Sequence, residues 1–422
     1  MTIEQLLLGK KDCECGSSHY CPIDRVIIGE NACSCLSELA EGYGKILLVA
    51  DENTFRACGD RVLPNLGARL ADSMIFAGGT ILVPDERAIE AIEKKIDEST
   101  DLIIGIGSGV INDLCKITSY KAGLPYFIVA TAPSMDGYAS KGSALILDGM
   151  KVTLNANVPK AIIADTEVLA SAPYEMIQAG YGDIIGKYSC LNDWRLSACV
   201  NGEYLCPFVM NETYETVEKT VSLADGIRKR DEKAIGALME ALVAVGILMA
   251  YVGNSRPASG SEHHLSHYFE IVGILRGEDY LPHGIDVCCS AVETAKIRED
   301  LLSIPDIDSY ACRFDRSEYE REIKRIYGGI ENEIFALQDK VGMYGCDRVS
   351  IYREKWNEIR EILADCPTAD QMLDLCRKVG ISYEGFRELY GEKKIFDALI
   401  YAKDLKDRYT VLWTYFDLVF GK

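Results

Sequence analysis

Residues 102–130, LIIGIGSGVINDLCKITSYKAGLPYFIVA, contain the pattern that decides the fold. The apolar run 102–106 predicts a buried strand, and the glycine-containing turn 107–109 leads into a helix that we expect to reach Tyr120. Residues 126–130 form the next apolar run and predict a second strand. A strand, a helix and a further strand in succession predict a parallel sheet that is covered by helices on both faces.

The same alternation extends outward from this stretch. Residues 46–50 and 74–76 predict further strands, and the stripe Ile89, Ile92 and Ile96 predicts a helix over residues 85–98. Residues 161–164 predict a last strand, and residues 144–147 and 152–154 flank Asp148-Gly149 as the two arms of a hairpin. We therefore predict an α/β N-terminal domain, residues 1–168, with a mostly parallel, Rossmann-like sheet.

Beyond about residue 170 the apolar residues recur with helical period. Residues 318–327 and 352–363 are two examples, and the glycine pair Gly328-Gly329 ends the first. This pattern predicts an all-helical C-terminal domain over residues 169–422.

Composition excludes several classes of function. The chain has 422 residues, 48% of them hydrophobic, and a formal net charge of -20. That charge argues against binding to nucleic acid and predicts repulsion from anionic membranes. The longest apolar run, residues 241–252, is too short to span a bilayer and predicts a buried helix, and the N-terminus is a poor signal peptide. We expect a cytoplasmic protein without membrane insertion.

The sixteen cysteines are typical of reduced thiols in such a compartment. The N-terminal group could hold a structural zinc ion; it comprises Cys13, Cys15, His19, Cys21, Cys33 and Cys35. Its C-x-C spacing differs from the usual C-x2-C knuckle, so scattered buried or half-buried thiols are the favoured interpretation.

Three features of the N-terminal half are typical of a dinucleotide site. The glycine-rich turn that starts at Gly105 follows a predicted strand and opens a helix, although its spacing departs from the G-x-G-x-x-G fingerprint. Asp51 ends a strand, where a carboxylate can bind a ribose hydroxyl and favour NAD over NADP. Residues 131–140 offer hydroxyls and the carboxylate of Asp136 at the carboxyl edge of the sheet. A plain turn, a strand-terminal Asp and a capped loop are the alternative interpretations.

Four of the five histidines, His263, His264, His267 and His283, lie close together in the sequence. His263 and His267 are four residues apart and would share one face of a helix, whereas His264 points away from that face. With Asp183, which lies among glycines, His263 and His283 form a candidate catalytic site for one divalent metal ion. His267 would then face the substrate and relay a proton. The alternative is a set of ordinary polar residues on a surface helix.

Five motifs occur in an order that resembles the sn-glycerol-1-phosphate dehydrogenase family, particularly its bacterial branch. They are GIGSGVIND (105–113), TAPSMDGYAS (131–140), GYGDIIGK (180–187), SRPASGSEHHLSH (255–267) and LPHG (281–284). The family is grouped with glycerol dehydrogenase, iron-type alcohol dehydrogenases and dehydroquinate synthase. The resemblance implies a dehydroquinate synthase-like fold and reversible reduction of dihydroxyacetone phosphate by NAD(P)H.

The resemblance also implies roles for individual residues. Metal ligands would be Asp183, His263 and His283, and the catalytic and substrate contacts would be Asp136, Asp183 and His267. Cofactor contacts would be Asp51, Gly107, Ser108, Gly109, Val110, Ile111, Thr131, Ala132, Pro133, Ser134 and Ser140. The substrate phosphate needs a cationic partner in this acidic chain, and Lys187 and Arg256 are the candidates.

The cofactors implied are NAD, with NADP as an alternative, and one divalent metal ion, zinc or nickel in preference to iron. A homodimer or larger homo-oligomer is expected. Alternative functions are a glycerol or other polyol dehydrogenase, a metal-stabilised helical protein without activity, and a dehydroquinate synthase-like lyase. The last is disfavoured because Asp183 stands where those lyases have Glu.

Overall fold

A computed structural model describes residues 1–79, 82–147, 150–311 and 314–420. By its internal contacts the chain divides into two compact units. Unit 1 comprises residues 1–181 and 218–253, and unit 2 comprises residues 182–217 and 254–422. Residues 168 and 169 both lie in unit 1. The domain boundary between them stays a prediction.

Unit 1 contains a six-stranded sheet and a separate two-stranded one. The strands are β1 Arg25–Gly29, β2 Ile46–Asp51, β3 Leu70–Phe76, β4 Leu102–Gly107, β5 Tyr126–Ala130, β6 Gly142–Leu147, β7 Met150–Asn155 and β8 Ala161–Asp165. The larger sheet has the order β1-β8-β5-β4-β2-β3, and each of these strands pairs in parallel with its neighbours. The predicted parallel sheet is confirmed.

The helices, in chain order, alternate with strands at first and then dominate. They are α1 Ile3–Leu7, α2 Leu36–Leu39, α3 Glu52–Leu66, α4 Glu86–Glu93, α5 Gly109–Ala122, α6 Thr166–Ser171, α7 Tyr174–Ile185, α8 Lys187–Asn201, α9 Pro207–Ser222, α10 Ala224–Arg228, α11 Glu232–Val252, α12 Ser261–Arg276, α13 His283–Leu302, α14 Arg316–Tyr327, α15 Glu331–Val341, α16 Arg348–Ala364, α17 Ala369–Lys378, α18 Tyr383–Tyr401 and α19 Val411–Tyr415. Unit 2 contains helices only among its described residues, and the predicted fold class is confirmed.

Burial explains why the central strands are so apolar. All residues of β4 and β5 are buried. One face of the sheet packs with α3 and the N-terminal segment into a core that includes Leu48, Ile104, Val129, Ile163 and Val62. A parallel strand that is covered on both faces has no solvent side, so it lacks the polar alternation of an exposed sheet.

Strand order places a crevice at the carboxyl edge of the sheet. From β2 the chain first builds β3 on one side and then returns to place β4 on the other side of β2. The direction of winding therefore reverses between β2 and β4. In open α/β sheets this is the position where ligands bind. Asp51 ends β2 and Gly107 ends β4, so both lie at this switch point.

Several elements differ in extent from their predictions. The helix predicted over residues 85–98 is α4, which Asp85 caps through the Ala88 N–H and which ends at Glu93. The predicted hairpin forms as β6 and β7 in antiparallel register, while its turn residues Asp148 and Gly149 lie outside the described residues.

The predicted buried apolar helix is α11, which begins earlier than expected, at Glu232. It is the one helix in the described part of the chain that is long and apolar enough to cross a membrane, and 78% of its most apolar window is buried. Gly246 lets it approach a short 3-10 helix, Asp136–Ala139, because a Cβ there would come within 2.8 Å of the Asp136 carbonyl oxygen. Helix α11 is thus a core helix of unit 1.

Candidate active site

Unit 2 brings the three predicted metal ligands together. Asp183 lies in the last turn of α7, His263 in the first turn of α12, and His283 is the first residue of α13. One ligand atom from each lies within 4.8 Å of the others. Asp183 and His263 are buried and His283 is half-buried. A carboxylate and two imidazoles at this spacing suit a divalent metal ion that keeps a position open for a substrate oxygen.

Two glycines of the GYGDIIGK motif allow these helices to meet. A Cβ on Gly182 would collide with the carbonyl oxygen of Gly284, and one on Gly186 would collide with Val287. The helix that carries Asp183 therefore approaches α13 more closely than side chains would permit. This close approach places the carboxylate beside the histidine at the start of α13.

Polar neighbours hold both histidine ligands in one orientation. His263 Nδ1 lies 2.7 Å from Glu262 Oε1, and His263 Nε2 faces Asp183 Oδ1 at 3.5 Å. His283 Nδ1 lies 3.1 Å from the Ser266 hydroxyl. Partners of this kind fix the tautomer and direct the other ring nitrogen at the metal. Sequence reasoning missed Glu262 and Ser266, although both stand inside the histidine-rich motif.

Electrostatics keeps the carboxylate ready to bind a cation. Burial by itself would raise the pKa of Asp183, but the Lys187 charge and the His263 hydrogen bond outweigh it and hold that pKa well below its ordinary value. The Lys187 ammonium lies 2.6 Å from Asp183 Oδ1, and both side chains are buried. Asp183 is therefore ionised over the whole range in which the protein would work.

The remaining two histidines, His267 and His264, differ in their surroundings. The His267 ring lies 5.4 Å from His283 and 6.0 Å from His263, centroid to centroid, and is half-buried. His264 is fully buried, and neither ring nitrogen has a hydrogen-bond partner among the described residues. Desolvation, aided by the charges of Arg408 and Lys406, lowers the pKa of His264 well below its ordinary value. His264 is thus a neutral core residue.

Arg256 makes a different contact from the one proposed. Its guanidinium forms a two-point ion pair with Glu203, with Nε donating to Oε1 at 2.7 Å and Nη2 donating to Oε2. The third nitrogen, Nη1, is buried without a partner among the described residues. Arg256 therefore retains one unused donor beside its structural pair.

In unit 1 the glycine-rich turn forms at the switch point. A Cβ on Gly107 would come within 2.5 Å of the Ile111 side chain, so only glycine allows β4 to turn so tightly into α5. Ser108 occupies the N-cap position without a side-chain capping hydrogen bond, and Gly109 and Val110, both half-buried, begin α5. The first N–H groups of a helix bind phosphate well. The tight glycine turn and the first N–H groups of α5 therefore fit the pyrophosphate of a dinucleotide.

Asp51 lies beside this turn, on the neighbouring strand. Its Oδ1 accepts hydrogen bonds from the N–H groups of Asn53 and Thr54 at 2.8 and 3.0 Å and so caps α3. Both capping bonds use the same oxygen. A strand-terminal cap and a ribose contact are therefore compatible roles for this carboxylate.

The loop 131–140 is held by a buried lysine that sequence reasoning missed. Thr131, Ala132 and Pro133 are buried at the end of β5, and the Thr131 N–H donates to the Gly107 carbonyl at 3.1 Å. Ser134, Asp136 and Ser140 are half-buried. Lys116 Nζ, fully buried, donates to the carbonyls of Gly137 and Gly142 at 2.6 and 2.8 Å and contacts the Ser140 hydroxyl. Lys116 thereby fixes the backbone around Asp136.

Comparison with known proteins agrees with this geometry. Residues 27–173 match the model of the family described as iron-containing alcohol dehydrogenase. A glycerol-1-phosphate dehydrogenase [NAD(P)+] of Bacillus licheniformis is 32% identical over 412 residues, which cover 95% of this chain and 90% of that protein.

The chain belongs to the glycerol-1-phosphate dehydrogenase family.

A second member of the family, from Halalkalibacterium halodurans, is 37% identical over 283 residues, covering 65% of this chain and 71% of that protein. Among solved structures, sulfoacetaldehyde reductase from Bifidobacterium kashiwanohense in complex with NAD+ has a TM-score of 0.58 at 15% identity, and the match covers 90% of each chain. At that identity the structural likeness shows the shared fold alone. The likeness in fold therefore extends over 90% of this chain.

Proposed function

We propose that this protein is a metal-dependent, NAD(P)-linked dehydrogenase that interconverts dihydroxyacetone phosphate and sn-glycerol 1-phosphate. The observation that carries the proposal is the Asp183, His263 and His283 cluster in a chain that matches a glycerol-1-phosphate dehydrogenase over 90% of that relative's length. A divalent metal ion held by these three residues would act as a Lewis acid toward the substrate oxygen at C2. Zinc or nickel is the proposed metal, since a carboxylate with two imidazoles suits either.

Individual residues would carry separate parts of the proposed reaction. His267 would hold or release the proton that the C2 oxygen exchanges, because it lies next to the ligand rings and is half-exposed. Asp136 would accept hydrogen bonds from substrate hydroxyls. The turn at Gly107 and Ser108 would bind the pyrophosphate of the dinucleotide, whose nicotinamide supplies or accepts the hydride.

Arg256 is the better of the two phosphate candidates. Lys187 already neutralises Asp183, whereas Arg256 has a buried nitrogen without a partner among the described residues. Arg408 adds to the positive field there: burial lowers its pKa, and the neighbouring guanidinium of Arg256 lowers it further. The positive charges of Arg256 and Arg408 would favour an anion that binds near them.

Replacing Arg256 separates this role from a structural one. We expect Arg256→Gln to raise KM for dihydroxyacetone phosphate by roughly 10- to 100-fold, equal to about 1.4–2.7 kcal/mol, with a much smaller effect on unphosphorylated dihydroxyacetone. Arg195→Gln, which removes an exposed ion pair with Asp365, is the matched control. Equal losses with both substrates would assign Arg256 to structure alone.

The dinucleotide preference is proposed to depend on Asp51. A carboxylate at this position favours the ribose hydroxyl of NAD and repels the 2′-phosphate of NADP. We expect Asp51→Asn, which keeps an oxygen for the helix cap, to shift kcat/KM toward NADP by about tenfold. Asp85→Asn, which alters the cap of α4 in the same way, should leave the ratio unchanged. An unchanged ratio in Asp51→Asn would remove this residue from the ribose site.

The substrate class is tested with metal-replete protein and NADH. We expect oxidation of NADH with dihydroxyacetone phosphate, loss of that activity on chelation and recovery when zinc or nickel is restored. Turnover of dihydroxyacetone or glycerol at equal or better kcat/KM would instead support a polyol dehydrogenase of the same fold. Turnover that survives complete removal of metal would contradict the proposed chemistry.

A further inference from the structure

The N-terminal segment of unit 1 forms a closed loop outside the proposed active site. Residues Lys10 and His19 pair across it, with N–H to carbonyl distances of 3.0 and 2.8 Å. Within the loop the Gly16 N–H donates to the Cys13 carbonyl at 2.8 Å, and Gly16 has φ +82°, which a side chain would oppose. The chain therefore reverses tightly, and the side chains of Cys13, Cys15 and His19 converge.

These three side chains have the spacing of metal ligands. One donor atom from each lies within 4.8 Å of the others, and Cys15 Sγ lies 3.3 Å from His19 Nε2. A tetrahedral zinc ion with bonds of about 2.3 Å to sulfur and about 2.1 Å to nitrogen would separate those two atoms by about 3.6 Å. The observed distance is within a few tenths of an ångström of that value, so an ion fits with little movement.

The histidine is already oriented for binding. His19 Nδ1 lies 3.0 Å from the Tyr251 carbonyl oxygen, which can only accept a hydrogen bond, so Nδ1 carries the proton. The ring then presents Nε2 to Cys15. The ring also stacks on the Tyr251 ring at 5.3 Å, and the Tyr251 hydroxyl donates to the Leu6 carbonyl. A backbone carbonyl behind a ligating histidine is the usual second partner of such a ligand.

The three proposed ligands do not include Cys33, which lies elsewhere in unit 1. Cys13 and His19 are 5% and 3% exposed, while Cys15 is half-buried and gives access from solvent. Cys33, which the sequence grouped with them, instead lies 3.6 Å from Cys58 in the core beneath the sheet. The proposed site is therefore narrower than the sequence alone indicated.

We propose that Cys13, Cys15 and His19 bind a structural zinc ion, in addition to the metal ion proposed at Asp183. Thiolate and imidazole together select zinc among the common divalent ions, and two thiolates balance its charge. Zinc prefers four ligands in such sites, so a further thiolate or a water completes the set. The ion would tie the loop to α1 and α11, which Leu6 and Tyr251 already connect. This proposal is independent of the proposed function.

Cobalt substitution tests the site in the intact wild-type protein. Cobalt bound to thiolate gives an intense charge-transfer absorption in the near ultraviolet, and the Asp183, His263 and His283 set contains no sulfur. We expect this absorption in cobalt-loaded wild type and in Asp183→Asn, with two metal ions per chain in the former and one in the latter. Absence of the absorption in wild type, or a Cys13–Cys15 disulfide in protein purified with reductant, would overturn the proposal.

Variants assign the ligands. We expect the double change Cys13→Ser with Cys15→Ser, and His19→Ala alone, to lose the absorption and one metal ion per chain while turnover with dihydroxyacetone phosphate stays within about twofold. Cys21→Ser, in the same segment but outside the three ligands, is the matched control and should keep both ions. Unchanged metal content in the double variant would overturn the assignment.

Discussion

His263 and His283 each have a polar partner behind the ring, and Glu262 is the stronger of the two. Burial would raise the pKa of Glu262, but the His263 hydrogen bond outweighs it and lowers that pKa. The ionised carboxylate also accepts from the Gly260 N–H at 2.9 Å. Glu262 therefore holds the start of α12 and would raise the basicity of the His263 nitrogen that is proposed to bind the metal ion.

Glu262→Gln should weaken metal binding without removing a ligand. We expect the affinity for zinc to fall by about 10- to 100-fold, because the amide is a poorer acceptor for the imidazole N–H. Excess metal should restore kcat, which a direct loss of chemistry would not allow. Glu278→Gln is the control, because Glu278 is an exposed carboxylate just beyond the end of α12. Affinity equal to wild type would show that this contact does not tune the metal.

Replacing His267 and replacing His263 should have different effects on metal content and turnover. We expect His267→Ala to keep one metal ion at this site and to lower kcat by about 10²- to 10⁴-fold, the usual contribution of a proton-transferring residue. His263→Ala should lose the ion itself. Metal analysis and turnover of the two variants give the comparison. Loss of metal in His267→Ala would make it a ligand and contradict its proposed role.

His264 should make stability depend on pH. Its folded pKa lies below the ordinary value of 6.5, so the unfolded chain binds the proton first as the pH falls. The contribution of His264 to the free energy of unfolding is fully present above pH 6.5. It is lost as the pH falls from 6.5 toward the folded pKa. One such group costs about 1 kcal/mol of unfolding free energy between pH 6.5 and 5.5. Denaturant unfolding should show this loss in wild type and a smaller one in His264→Phe; identical losses would contradict it.

At the scale of elements, the glycine turn between β4 and α5 carries the nucleotide proposal. Gly107→Ala would force the Ile111 side chain out of its position and open the turn. We expect a loss of about 1–3 kcal/mol of stability and a higher KM for NADH. Gly29→Ala is the matched control, since Gly29 also ends a strand of the sheet and has open space around its Cβ position. Unchanged NADH binding in Gly107→Ala would contradict the turn's role.

Elements with strong local signals could be predicted, and those defined by tertiary contacts could not. The buried strands β2, β4, β5 and β8 were apparent because continuous apolar runs are visible in the sequence. Strand β1 was missed: it is short, none of its residues is fully buried, and it pairs with β8 alone. Helix α4 is shorter than its apolar stripe predicted: it ends at Glu93, so Ile96 lies beyond it.

At the scale of the whole molecule, some features of the candidate site could be predicted from the sequence and others could not. The convergence of Asp183, His263 and His283 could be predicted from their chemistry and order in the sequence, and their role as metal ligands stays a proposal. Glu262, Ser266 and Lys116 could not, because their roles depend on which atoms lie opposite them in the fold. The same holds for Cys13 and Cys15, whose spacing alone favoured scattered thiols. The homo-oligomer and the domain boundary at 168/169 stay predictions.

The stereochemistry of the product tests the central claim most directly. Metal-replete protein, NADH and dihydroxyacetone phosphate should yield glycerol phosphate that an sn-glycerol-3-phosphate-specific dehydrogenase cannot oxidise, and Asp183→Asn should yield none. That result follows from the proposed function, because the relatives are named glycerol-1-phosphate dehydrogenases and a substrate held at Asp183, His263 and His283 would present one face of its carbonyl to the nicotinamide. A product that the sn-3-specific enzyme consumes, or no product from protein with a full complement of metal, would contradict the account.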